Sequence, residues 1–120
     1  MTHSGADFPE AWLAGARRFD AGEWWQAHEA WEEEWLQAEG QRRAALQALI
    51  LLAAALHKRW RQGRPTRNNF VKAQAYLREL PAGAYGLDWM ALERAVDVAL
   101  DGDVAPTALS LPLLGQGQLN

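Results

Sequence analysis

Apolar residues recur at helical spacing through most of the chain, in blocks separated by glycine and proline. The spacing predicts a first helix over Pro9 to Phe19, with Trp12, Leu13, Ala16 and Phe19 on one side and the proline in the first turn, where its missing N–H is tolerated. Asp20-Ala21-Gly22 ends it, the glycine being suited to a left-handed C-terminal position. A second helix is expected from Glu23 to Ala38, closed by Gly40. The third, Gln41 to Gln62, is apolar on nearly every side between Ala44 and Leu56, the pattern of a helix at the centre of a bundle. Lys58, Arg59 and Arg61 suit the negative end of its dipole, and Gly63 stops it.

Pro65 and Thr66 open a fourth helix running to about Leu80, with Phe70, Ala73, Tyr76, Leu77 and Leu80 as its stripe and Pro81 and Gly83 as its stop. Asp88 is placed to N-cap a fifth, with Leu87 and Leu92 spaced for a hydrophobic staple and Gly102 after its end. No convincing strand, internal repeat or low-complexity tract is present. Short loops favour antiparallel neighbours. The expected fold is therefore all-α: an antiparallel up-and-down helical bundle of three main helices, two shorter ones and an extended C-terminal tail. The reading assigns a single helical domain to residues 1–102 and a tail to 103–120. The tail carries Pro106 and Pro112 and no charge after Asp103, and its leucines suit packing on the body or on a partner chain.

Composition narrows the function classes. A chain of 120 residues fits one domain and can bury a core without metal or disulfide. There are no cysteines, which excludes a thiolate nucleophile and a Cys-ligated metal and fits a cytoplasmic setting. Residues Met1 to Phe8 lack the layout of a signal peptide. The longest apolar run, Ala44 to Leu56, is interrupted by Gln47 and falls short of the roughly 20 residues a membrane span needs. A net charge of −3 argues against a dedicated nucleic-acid binder. Only Lys58 and Lys72 among the 12 basic residues are lysines, a bias read as that of a GC-rich genome.

Candidate chemistry concentrates in the second helix. With His28 as zero and about 100° per residue, Trp24, Trp31 and Trp35 fall within about 60° of it, so the histidine lies in a tryptophan stripe that faces the core. Glu32, four residues on, sits at the edge of that face and within reach of His28. Glu29 and Glu33 point towards solvent. A His and a Glu at this spacing can share a divalent metal or work as an acid–base pair, and also suit a structural histidine with its ring satisfied by a carboxylate. A metal needs further ligands, for which His57 is the best candidate and Gln47 a weaker one. The zinc-protease motif is excluded, because Glu32 stands where it requires histidine. The Glu-x-x-His pattern of di-iron bundles is missing too. A second cluster, Lys58, Arg59, Arg61, Arg64, Arg67 and Lys72, surrounds the turn between the third and fourth helices.

The run Phe19-Asp20-Ala21-Gly22-Glu23-Trp24-Trp25-Gln26-Ala27-His28-Glu29-Ala30-Trp31-Glu32-Glu33-Glu34-Trp35 resembles the signature of the domain-of-unknown-function family numbered 309. A second block, Leu46 to Ile50 and then Ala53 to His57, is similar to that family's long apolar helix with a histidine near its end. The resemblance covers about residues 8 to 80. Gln26 replaces the family's usual Glu, Ala48 a common Gly, and Leu51 a frequent Gln. The resemblance implies a compact antiparallel bundle of a family found chiefly in bacteria, archaea and plastids. It implies no activity, and it singles out His28, Glu29, Glu32, Trp35 and His57.

Three functions follow as expectations. The first is a binding or protein-interaction module with a polar pocket formed by His28, Glu32, Trp24, Trp31, Trp35 and Gln47, the partner being a protein or a second copy. The second is a hydrolase with a divalent metal on His28, Glu32 and His57 and Glu29 as general base. The third is an RNA-associated protein using the cluster from Lys58 to Lys72.

Overall fold

The computed structural model describes residues 7–106 and 109–114. It is all-helical. A 3-10 turn, Glu10–Trp12, leads into α1 (Leu13–Asp20), followed by α2 (Trp24–Trp35), α3 (Gly40–Trp60), α4 (Asn68–Leu77), a 3-10 turn at Ala84–Gly86 and α5 (Trp89–Asp101). The expected first helix thus begins as a tighter turn, which accommodates Pro9 and closes with Trp12 N–H donating to the Pro9 carbonyl. The expected ends of α2 and α4 also tighten: Gln37 and Ala38 donate to Glu34 and Trp35, and Glu79 and Leu80 to Tyr76 and Leu77, all three residues back. Such bonds satisfy last-turn carbonyls where the α-helical ladder runs out.

α3 is central and packs against α2, α4 and α5, while α1 packs on α2. Side-chain contacts fix the directions. Early α2 meets late α3 at Trp25 and His57, and late α2 meets early α3 at Trp35 and Arg43, so the two run antiparallel. Gln74 meets Glu93 and Arg67 meets Asp97 and Asp101, so α4 and α5 are antiparallel as well. The C-terminal ends of α3 and α5 coincide, as an up-and-down order requires: Trp60 Nε1 donates to Ala99 O, and Arg59 to the carbonyls of Leu100 and Gly102.

The core is continuous, running from Trp12, Phe19 and Trp31 through Leu49, Leu52 and Leu56 of α3 to Phe70, Leu92 and Val96. No helix among the described residues is long and apolar enough to cross a membrane. Asp88 caps α5 as expected, its Oδ1 accepting from Ala91 N–H at 3.0 Å. The described part of the tail folds back on the body. Leu87 and Leu113 form an isolated antiparallel bridge, Asp88 N–H donates to Pro112 O, and Leu111 N–H donates to the Asp20 carboxylate at 2.9 Å. Packing over Asp20 raises its pKa above the ordinary 3.8, although the Leu111 hydrogen bond pulls the other way.

Candidate functional site

The site begins with the turn that ends α1. Glu23 N–H donates to Arg18 O and Gly22 N–H to Phe19 O, the paired bonds of a Schellman motif, with Gly22 at φ 78°. This motif sets the entry angle of α2 and aims its first turn at the end of α3. Trp24 is then buried against the core, and Trp25 turns outward.

Trp25 is 43% exposed. The His28 ring stacks on it at 4.5 Å between centroids and 10° between planes. His57 comes from α3 to lie against the same indole at 5.1 Å and 38°. The two histidines singled out in the sequence are therefore brought together, and an unforeseen tryptophan joins them. Burial lowers the His57 pKa below its ordinary 6.5, and the nearby charge of Arg61 and then of His28 lowers it further. The Nδ1 of His28 is buried with no hydrogen-bond partner among the described residues.

Beside the cluster lies a cavity of about 370 Å³, lined by the Gly22–Glu23 turn, Trp24, Trp25, His57 and Arg61. Arg61 lines it, with Nη2 donating to Gly22 O at 2.9 Å and its guanidinium 4.7 Å from the centroid of the Trp24 ring.

The remaining expected site residues are placed elsewhere. Trp24 and Trp31 belong to the core and Trp35 is half-buried under Arg43. Trp31 Nε1 donates to Trp12 O at 3.0 Å. Glu29 and Glu32 are exposed, and no hydrogen bond joins Glu32 to His28 among the described residues. Gln47 is half-buried ten residues before His57 on α3, roughly 15 Å away along the axis, so the two cannot serve one pocket. Among the described residues no three His, Asp or Glu side chains gather closely enough to hold a metal ion. The set His28, Glu32 and His57 is not assembled, because the His28 ring lies flat on Trp25 instead of turning along the helix towards Glu32.

The basic cluster is largely committed to the fold. Arg59 binds the end of α5 and stacks on Trp60 at 4.0 Å, Arg61 holds the α1–α2 turn, and Arg67 pairs with Asp97 and Asp101. Among the described residues Arg67 is the member of this cluster held in ion pairs; Arg59 and Arg61 keep their charge but are held on backbone carbonyls, which leaves the side chains of Lys58, Arg64 and Lys72 uncommitted.

Sequence reasoning missed Trp25. The signal was its position three residues before His28, which puts the two on neighbouring turns of one face; the core-facing stripe of Trp24, Trp31 and Trp35 masked it.

The fold and the cluster together define a small helical domain with a histidine–tryptophan site at the antiparallel junction of two helices. The chain belongs to the family described as Domain of unknown function (DUF309), whose model matches residues 12–68, a span that includes α1, α2, α3 and every residue of the cluster. It is similar to a conserved hypothetical protein from Thermus thermophilus of known crystal structure, at 42% sequence identity and a TM-score of 0.71, over 79% of this chain and 99% of that one. No curated protein matches the chain.

Proposed function

We propose that this domain is a binding module whose working surface is Trp25 with His28 and His57. One observation carries the reading: a large indole left 43% exposed, stacked on an imidazole whose Nδ1 is buried without a partner among the described residues, beside a cavity of about 370 Å³. An exposed aromatic beside convergent polar groups is the usual make-up of a ligand site. A buried polar atom without a partner costs about 1–3 kcal/mol and is retained where something else favours it. Glu29 and Glu32 are exposed, and the proposal assigns them no part.

The test is a fragment library screened by ligand-observed NMR against the wild type and Trp25→Ala. Fragments that bind the wild type and are lost in the variant support the reading. Binding that is equal in the two proteins, or absent from both, overturns it.

A further inference from the structure

Charge is sorted along the face that carries Trp25. α2 holds Glu29, Glu32, Glu33 and Glu34 and neither lysine nor arginine. None of the four is in an ion pair among the described residues. The fold gains little from them: Glu29 and Glu33 repel at i and i+4, and carboxylates late in a helix oppose its dipole. Glu29 and Glu32 are exposed, and with Trp25 as zero both fall within about 40° of it at about 100° per residue. Leu36, 68% exposed just past the end of α2, falls at about 20°. An exposed stripe thus runs from the indole along α2, with acid in its middle and a leucine at its far end.

Basic residues lie on the other side of the indole. α3 brings His57 against Trp25, and the chain then runs on past the start of α2 through Lys58, Arg61 and Arg64. Arg61 lines the cavity beside Trp25, and none of these three forms an ion pair among the described residues. At about 1.5 Å per helical residue, Glu29 stands about 6 Å from Trp25 in one direction and Arg61 about 6 Å beyond His57 in the other. The exposed tryptophan is the midpoint between opposite charges. Turned by 180° about an axis at right angles to α2, such a face matches itself, which is what an isologous contact requires.

We infer that a second copy of this chain docks on this face, with Trp25 meeting Trp25 near a two-fold axis and Glu29 and Glu32 of each copy facing Arg61 and Lys58 of the other. The carboxylates left out of the ligand surface take their part here. The inference rests on Trp25 as the working surface and names what covers it. Tryptophan and arginine are the side chains most often found at the energetic centre of such contacts. With a net charge of −3, two copies repel at long range, so docking depends on this local match.

Sedimentation equilibrium up to about 1 mM chain suits a contact of modest size. The expected result is a dimer whose dissociation constant rises roughly tenfold or more in Trp25→Ala, and again between about 50 mM and about 500 mM salt. Glu29→Lys with Glu32→Lys puts like charges opposite one another across the axis, and so does Lys58→Glu with Arg61→Glu. Each double variant alone should be monomeric. Mixed in equal amounts, the two restore every opposite pair and should form a heterodimer. Because Arg61 also holds the α1–α2 turn, Lys58→Glu alone serves as a second basic variant, and the melting temperature of each is recorded. A wild type that stays monomeric at low salt overturns the inference. So does a dimer indifferent to both charge reversals, or a mixture of folded variants that does not pair. If fragments still bind the wild type and not Trp25→Ala in that case, the binding module stands, and its occupant is a small ligand instead of a second copy.

Discussion

Trp25 and Trp31 lie six positions apart on one helix and meet opposite fates. Around Trp31 every demand is met: the ring is fully buried, its N–H donates to Trp12 O, Phe19 lies tilted against it at 6.0 Å, and Gly15 leaves the space the indole fills. Around Trp25 the demands are open, with an exposed ring, a stacked imidazole whose Nδ1 has no partner among the described residues, and a cavity at its side. A side chain whose packing and hydrogen bonding close on themselves is structural. One whose surroundings keep unspent bonding capacity is where a ligand has something to gain.

That contrast can be broken by mutation. The largest effect is expected from Trp31→Ala, which should cost about 3–5 kcal/mol in denaturant unfolding; a loss below about 1 kcal/mol would remove Trp31 from the centre of the core. Gly15→Ala comes next. Alanine is the better helix former, but its Cβ would sit 2.3 Å from Trp31 Nε1, so overpacking should win and cost about 1–3 kcal/mol. A gain in stability would mean that the indole moves aside freely. Trp25→Ala should cost only about 0.5–1.5 kcal/mol, the scale of an aromatic contact beyond its buried area. A loss equal to that of Trp31→Ala would erase the distinction between the two ends of α2.

The smallest effect concerns pH. His57 has a folded-state pKa below 6.5, so the unfolded chain binds its proton more tightly. Stability is therefore full above pH 6.5 and declines as the pH falls through the window below it. Unfolding midpoints measured from pH 8 to pH 5 should decline less in His57→Gln than in the wild type. An equal decline would assign the pH dependence to other groups. Asp20, whose pKa is raised, acts with the opposite sign and in a lower range, since it favours the folded state most when protonated.

The fold was more legible in the sequence than the site, and the reason is physical. Helices such as α3 and α5 are written in repeated local signals: an apolar run, a capping Asp88, a terminating glycine. Each of these acts within a few residues of the backbone it shapes. The pairing of His57 with Trp25 depends on the register between α2 and α3, which loop lengths and packing set jointly. Helical geometry alone put His28 among the core tryptophans, and its ring turned instead to the outward neighbour three residues back. The arginine bias, read from composition as a genomic trait, has a structural use as well. Arg43, Arg59 and Arg61 each combine stacking on a tryptophan with hydrogen bonds to carbonyls at the end of another segment, which a lysine cannot do with one compact charge.

The hydrogen bond from Leu111 to Asp20 joins residues 91 positions apart. The most extensive packing elsewhere joins consecutive helices, α1 with α2, α2 with α3 and α3 with α4, and such local pairing favours fast folding, while α5 on α3 and Tyr85 against Trp12 reach further. This link needs the end of α1 and the segment around Leu111 to be in place together. Folding should thus proceed as rapid local assembly followed by a slower closing step, and a chain still emerging from the ribosome would hold its helices but lack its clasp.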